Sequence, residues 1–379
     1  MTSPESETAG APAGPASETG PIAVVGTGLI GTSVALAASV AGVAVRGWDA
    51  DAGVLSRAAT LSPLEPAGSI GAAVDGARVV FVCTPLADVP ALASKVLSRS
   101  DAVVSDVGSV KGPVVDEVVR AAGSNAARFV GGHPMAGSER TGPEAAAATL
   151  LDGATWVLTP TEGTNPAAVE RVRALVESFG ARAVVMAPDA HDRAVALVSH
   201  LPQLVSSALM AFATREHEAV PESDVLGLAA GGFRDLTRLA GSSPELWEQI
   251  LLGNARAVSR EVSRFADLLL TARDALDAMS GGLVVELLEE ARDGRLLLAT
   301  KPNVRSGVVV LQVPIPDRPG VLARLTAAMA EREVNIEDLQ IVHAADGGRG
   351  NAHVTVAADQ GDEALQVLRE AGFVPVRLT

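Results

Sequence analysis

Three segments of this sequence gather residues able to move protons or hold anions. The first is Asp106-Val107-Gly108-Ser109-Val110-Lys111, and the second is Gly131-Gly132-His133-Pro134-Met135-Ala136-Gly137-Ser138-Glu139. The third is discontinuous: His191-Asp192, then Ser199-His200-Leu201-Pro202-Gln203, then Gly232-Phe233-Arg234-Asp235-Leu236-Thr237-Arg238, followed by Pro244 and Trp247. Histidine titrates near neutrality, so it can accept or return a proton at working pH. Arginine keeps its charge when partly buried and can grip a carboxylate through two N–H groups. A serine hydroxyl can hydrogen-bond to a reacting oxygen and to a histidine at once.

A fourth segment is suited to a nucleotide. Residues 22–25 are apolar and lead directly into Gly26-Thr27-Gly28-Leu29-Ile30-Gly31, after which a helical pattern begins. In such a strand-turn-helix, one glycine permits the tight turn, one lets the backbone approach a pyrophosphate, and one lets helix pack on strand. The helix start offers free N–H groups to the phosphates. Asp49 ends the next strand, about 20 residues on, where a carboxylate accepts from the ribose 2′-hydroxyl and repels a 2′-phosphate. NAD is therefore the expected cofactor, although Arg46 nearby leaves room for NADP. Thr84-Pro85 falls at the carboxyl edge of the third long strand, either as part of this site or as an ordinary strand-ending turn.

These residues need a scaffold, and the patterning indicates one. Apolar, β-rich runs at 22–25, 43–48, 78–83, 102–105, 155–158 and 181–186 alternate with helical stretches. That alternation predicts an α/β domain over 21–188, with a largely parallel sheet of Rossmann type covered by helices. Over 189–300 the β-runs stop. Helices are expected at 194–214, with Pro202 kinking the first of them, and at 246–270 and 275–291. This region reads as an all-helical domain for substrate and dimerisation, and 194–214 is too apolar to be left in water. After a linker at 301–307, residues 308–379 read strand (308–314), helix (321–331), strand (336–343), strand (351–357), helix (363–371), strand (374–378). That order is βαββαβ, a small ferredoxin-like domain.

Bulk properties narrow the function. A formal charge of −15 argues against nucleic acid, which needs a basic footprint. An anionic substrate would need a local arginine cluster set against that overall field. Cys83 is the single cysteine, so no intrachain disulfide can form, as suits the reducing cytoplasm. Residues 1–20 lack a basic start and an apolar stretch, and read as a disordered tail. The apolar runs are interrupted, so no membrane span is expected. With tyrosine absent and 3% aromatics, the cores must be built from Ala, Val and Leu. The six histidines show no metal-ligand spacing with Cys or acidic partners. His191 and His200, nine apart, would not face together on one regular helix, so no metal site is expected.

From residue 22 to residue 250 the ordered segments resemble prephenate and arogenate dehydrogenases. The stretch Gly131–Glu139 is the most specific part of the resemblance, and Ser199–Gln203 and Phe233–Arg238 are fairly specific. The segment Asp317-Arg318-Pro319-Gly320-Val321-Leu322 resembles the ligand loop of ACT domains, which bind amino acids and regulate metabolic enzymes. The resemblance implies oxidative decarboxylation of prephenate to 4-hydroxyphenylpyruvate in tyrosine biosynthesis. It makes His133 the catalytic histidine and Ser109 the residue that bonds the reacting hydroxyl, unless Ser109 is merely a helix cap. It gives Arg238 a substrate carboxylate, with Ser138 in the same pocket and Arg234 one turn away adding to the field. Glu139 and Asp235 pair with that arginine as a gate. His200 and Gln203 share a face toward the substrate side chain. Many relatives carry histidine at the last of these positions. A neutral Gln203 suits the keto acid of prephenate, whereas an acidic residue there would suit the ammonium of arogenate. A C2 homodimer is implied, as is an aromatic amino acid effector, tyrosine or phenylalanine, at the ACT loop. There a residue larger than Gly320 would crowd the loop.

Two other readings remain. A β-hydroxyacid dehydrogenase would place a catalytic lysine in the helical region, and residues 189–300 contain none. A catalytically silent NAD- and amino-acid-binding regulator would have lost His133 or Ser109, and both are present.

Overall fold

The computed structural model describes residues 20–137, 140–219, 224–299, 307–316, 318–343 and 349–378. Most of the expected tail (1–20) and linker (301–307), together with Ser138, Glu139 and Asp317, lie outside these. The chain forms two compact units. One reaches to Leu204 and adds Gly241–Val262; the other comprises Val205–Ala240 and the chain from Ser263 onward.

Among the described residues, the first unit holds an eight-stranded sheet in the order β3-β2-β1-β4-β5-β6-β7-β8. Its strands are β1 (Ile22–Val25), β2 (Val45–Trp48), β3 (Glu65–Pro66), β4 (Val79–Val82), β5 (Val103–Asp106), β6 (Phe129–Pro134), β7 (Thr155–Thr159) and β8 (Arg182–Val185). All neighbours run parallel except β6 and β7, which are antiparallel. β1 and β4 are fully buried, as central strands covered on both faces must be. Their side chains alternate between two cores. Ile22, Val24 and Phe81 join one, and Ala23, Val25, Val80 and Val82 join the other. Small aliphatic residues fill most of this volume, and Phe81 against Trp156 and Phe179 supplies the aromatic bulk.

Two strands escape the sequence pattern. β3 is two residues long, and β6 reads Phe-Val-Gly-Gly-His-Pro, a composition poor in β-formers. The glycines of β6 are required by space. A Cβ on Gly132 would lie 2.5 Å from the Asp106 carbonyl oxygen and 2.7 Å from Ser105 Oγ.

The helical region also departs from expectation. A π-helical turn, Ala196–His200, joins the helix Pro188–Val195 to the helix Leu201–Ala219. It lies just before Pro202, whose ring nitrogen has no hydrogen to donate to the preceding turn. This whole run, Pro188–Ala219, is long and apolar enough to cross a membrane by length and composition. Within it His191, Asp192 and His200 are buried. The helix expected over 246–270 is two helices, Pro244–Gly253 and Ala255–Asp277, parted at Asn254. That expected over 275–291 instead begins at Gly281, after Met279 turns the chain with φ +54°.

The second unit contains a four-stranded antiparallel sheet, order β10-β11-β9-β12. Its strands are β9 (Val308–Pro316), β10 (Asp338–His343), β11 (Arg349–Ala357) and β12 (Val376–Arg377), with helices Val321–Glu331 and Gly361–Glu370. This is the βαββαβ order read from the sequence.

Candidate active site

Parallel strands deliver their carboxyl ends to one edge of the sheet. The turns after β1, β2, β4 and β5 therefore open on the same side as His133, near the end of β6. Ligands bind at this edge in open α/β sheets, where the strand order reverses between β1 and β4.

The glycine loop fits a dinucleotide. Gly26 has φ +93°, and a Cβ there would lie 2.6 Å from the Cys83 carbonyl oxygen. A Cβ on Gly31 would overlap the Gly26 carbonyl oxygen. Gly28 differs: a Cβ there would meet nothing within 4 Å among the described residues, which leaves room for a pyrophosphate to approach the backbone. Gly28 also caps the helix Leu29–Val40, with no side chain covering its first N–H groups. Asp49 accepts from Thr27 N (2.6 Å) and Thr27 Oγ1 (3.1 Å), which ties the acidic residue to the loop. Beside the loop, Thr84 Oγ1 is buried without a hydrogen-bond partner among the described residues, and Pro85 follows it. Arg46 is committed elsewhere. It donates to the carbonyls of Ala72 (2.9 Å) and Asp75.

Beneath His133 lies a buried ion pair that the sequence reading left without a role. Asp106, at the end of β5, and Lys111 are both fully buried and joined through Lys111 Nζ and Asp106 Oδ2. Asp106 also accepts from Gly108 N (2.9 Å) and Gly132 N (3.1 Å), and Lys111 Nζ donates to Gly132 O (2.8 Å). The pair thus pins the β5 loop to the strand carrying His133. Ser109 sits in this loop, partly exposed. It does not cap a helix, because the helix starts at Gly112 with Lys111 at its cap.

His133 Nδ1 lies 2.8 Å from His191 Nε2, with the rings edge to face. His191 Nδ1 lies 2.8 Å from Asp192 Oδ1. Asp192 accepts further from Lys111 N (2.8 Å) and Gly112 N (2.7 Å). Asn254 Nδ2 donates to Asp192 O (2.8 Å) and lies 3.2 Å from His200 Nδ1. His200 packs edge-on against Trp247. His191 and His200 therefore end in one network, contrary to the expectation that they would face apart. The π-turn between them breaks the regular helical phase on which that expectation rested.

Burial keeps two of these rings, His133 and His200, neutral. Burial holds His133 well below the usual histidine value, and His191, Lys111 and His200 push the same way. Burial lowers His200 to about 4, despite the opposing pull of Asp192. As a neutral ring accepting from Asn254 at Nδ1, His200 carries its hydrogen on Nε2 and offers a donor there. Gln203 is buried three residues on.

Arg234, Asp235 and Arg238 belong to the second unit and are exposed on it. Arg234 lies in the helix Gly231–Thr237 and Arg238 at its C-terminal cap, still in helical geometry, so the two share a face. In the ACT-like loop, Arg318, Pro319 and Gly320 are exposed, Val321 is buried and Leu322 is exposed. Gly320 caps the helix Val321–Glu331 with φ +85°. A Cβ there would meet nothing within 4 Å among the described residues, and the backbone conformation by itself disfavours a larger residue. In the sequence alone Asp106, Lys111, His191 and Asp192 stand within candidate segments without individual roles, and Asn254 stands in none. The adjacent His191-Asp192 and the helix-breaking Gly253-Asn254 were the available signals.

Residues 33–185 match the nucleotide-binding domain of prephenate dehydrogenase, residues 187–290 its dimerization domain, and residues 309–373 an ACT domain. The prephenate dehydrogenase of Bacillus subtilis is 32% identical over 359 residues, covering 92% of this chain and 95% of that protein. This chain belongs to the prephenate dehydrogenase family. Among solved members, the Aquifex aeolicus enzyme in complex with hydroxyphenyl propionate and NAD+ has a TM-score of 0.68 at 32% identity, covering 74% of this chain and 98% of that one. The arogenate dehydrogenase of Synechocystis has a TM-score of 0.65 at 30% identity, covering 73% and 98%.

Proposed function

We propose that the protein catalyses NAD-dependent oxidative decarboxylation of prephenate to 4-hydroxyphenylpyruvate, a step of tyrosine biosynthesis in the cytoplasm. The observation that carries this reading is His133, held neutral at the edge of the sheet onto which the glycine loop opens. NAD, when bound, supplies the hydride acceptor. Gly26, Thr27, Gly28, Leu29, Ile30 and Gly31 cradle its pyrophosphate, Asp49 holds its ribose, and Thr84 and Pro85 border it. His133 accepts the proton of the substrate 4-hydroxyl as the ring carboxylate departs, and Ser109 orients that hydroxyl. Arg238 grips a carboxylate, with Arg234 adding positive field. Ser138, His200 and Gln203 line the substrate, and Glu139 and Asp235 gate it. The neutral, buried Gln203 favours prephenate over arogenate, because it offers no charge to an ammonium. Mixing the protein with NAD or NADP and either substrate, and following reduced-cofactor absorbance, tests the reading. Turnover of arogenate alone would reassign the substrate, and no turnover of either would favour the silent regulator.

Cofactor choice has its own test. The Asp49→Ser variant should bind NAD more weakly and lose much of its preference over NADP, read as KM for each. A wild-type preference for NADP would contradict the role given to Asp49.

The working unit is proposed to be a C2 homodimer. The second unit exposes Phe212, Leu236, Leu269, Leu276, Leu283 and Leu288, an apolar surface that a partner would cover. The match to a dimerization domain supports this.

The ACT domain is proposed to bind tyrosine or phenylalanine, with Asp317, Arg318, Pro319, Gly320, Val321 and Leu322 around the ligand. The uncapped start of the helix Val321–Glu331 offers N–H groups to an amino acid carboxylate. Such control requires the effector to bind one conformational state better than another. Removing residues after Val304 should leave an active enzyme with weakened end-product inhibition. Equal responses of the full chain and the truncation to both amino acids would place inhibition at the active site.

A further inference from the structure

The network behind His133 has a direction, which follows from which of its groups can only donate. The backbone N–H groups of Lys111 and Gly112 have no other option, so they donate to Oδ1 and Oδ2 of Asp192. With both carboxylate oxygens accepting, the contact between Asp192 Oδ1 and His191 Nδ1 must take its hydrogen from His191. In its neutral form His191, with its hydrogen on Nδ1, has a bare lone pair on Nε2. That nitrogen lies 2.8 Å from His133 Nδ1, so the hydrogen between the two rings belongs to His133. A neutral His133 with its hydrogen on Nδ1 has its lone pair on Nε2.

We propose that His191 is a positioning residue that sets the tautomer of His133. Asp192 orients His191, and His191 holds the proton of His133 on Nδ1, leaving Nε2 free to accept the substrate's hydroxyl proton. This rests on the reading of His133 as the base. The hydrogen-bond assignment follows the logic by which a buried carboxylate fixes a catalytic imidazole, with one more ring in between. The proton transfer balances: the hydroxyl O–H bond breaks, the N–H bond forms at His133 Nε2, the positive charge resides on an imidazolium whose Nδ1–H faces His191, and the proton returns to the oxygen of the aromatised product. The burial of His191 and Asp192 suits the task, since water would otherwise compete for Nδ1. Free imidazole side chains favour the hydrogen on Nε2, the form without a usable base at that atom, so the default must be overridden. Lys111 and His200 do not compete for the ring: Lys111 Nζ is bound to Asp106 and Gly132, and His200 Nδ1 to Asn254.

The test reads the tautomer and the kinetics separately. In full-length protein labelled with 15N-histidine, long-range proton–nitrogen spectra distinguish protonated from bare ring nitrogens, and His133→Asn assigns the His133 signals. The expected result is a hydrogen on Nδ1 of His133 and a bare Nε2 at neutral pH. A hydrogen on Nε2 in the wild type would overturn the proposal, and this readout needs no turnover. The His191→Leu variant should lose about 10²-fold or more in kcat with KM within threefold, and its His133 should shift toward the Nε2–H form. The His191→Gln variant can present a carbonyl oxygen to Nδ1 and should stay within about tenfold of wild type. A leucine variant with near-normal kcat, or a glutamine variant as poor as the leucine one, would sink the idea. If instead His133→Asn itself remains active, the reading of His133 as base fails, and the tautomer measurement still stands on its own.

Discussion

Replacing His133 by asparagine is expected to lower kcat by about 10²–10⁴-fold while KM for the substrate stays within a few-fold. The asparagine keeps polarity and approximate size but cannot take up a proton. The hydroxyl must then lose its proton to water while the hydride leaves. Wild-type pH behaviour should carry the same signature. Burial holds His133 below the usual histidine value, so the base stays unprotonated as pH falls through 6.5. The acid limb of kcat/KM should therefore lie below 6.5, and it should vanish in the variant. Stability follows with the same sign. The unfolded chain binds the proton first, so the stability that a neutral His133 contributes is present above 6.5 and is lost as pH falls toward the depressed folded value. A variant with near-normal kcat, or an acid limb at the ordinary histidine value, would remove His133 from the mechanism as stated.

The largest stability change is expected at Lys111. The Lys111→Met variant keeps the length of the side chain but leaves the fully buried Asp106 carboxylate with only the Gly108 and Gly132 N–H groups for company. Breaking one side of a buried pair typically costs about 3–5 kcal/mol, because the remaining charge is uncompensated. Burial also pulls Lys111 below the ordinary lysine value while Asp106 pulls it back up, so the lysine is comfortable only with its partner. The double variant Asp106→Asn with Lys111→Met should recover much of the loss, since no buried charge remains. Denaturant unfolding of the two variants measures this. A single variant within about 1 kcal/mol of wild type would mean that the pair is not structurally required.

The cofactor half of the site was legible because its signals are local. A buried strand, a glycine turn and an acidic strand end lie within 28 residues of one another, between Ile22 and Asp49. The ferredoxin-like order of 308–379 was legible for a similar reason, as alternation and helical period change sharply there. The rest depends on contacts distant in sequence. β6 went unread because its two glycines answer to Asp106, Ser105 and Thr159 on neighbouring strands, not to β propensity. Asn254 went unread because its amide serves Asp192, 62 residues earlier. Lys111 stands in the same candidate segment as Asp106 and Ser109, and only the fold reveals that it is buried with Asp106 as its partner. For Arg238, Glu139 and Asp317 the sequence supplies residue types, and their roles rest on the proposed reading.

The π-turn at Ala196–His200 gives this stretch of chain an unusual kind of information content. Leu197 and Val198 are exposed, so their identities are nearly free. Their number is not. Inserting one further residue there, with no second wide turn to absorb it, would rotate the helix beyond it by about 100° relative to His191. His200 would swing away from Asn254, and Gln203 with it. Spelling errors here would be read through; a frameshift of one residue along the helix axis would not. Variation among functional descendants of this chain should therefore be silent in letters and strict in length, like a spacer in a ruler.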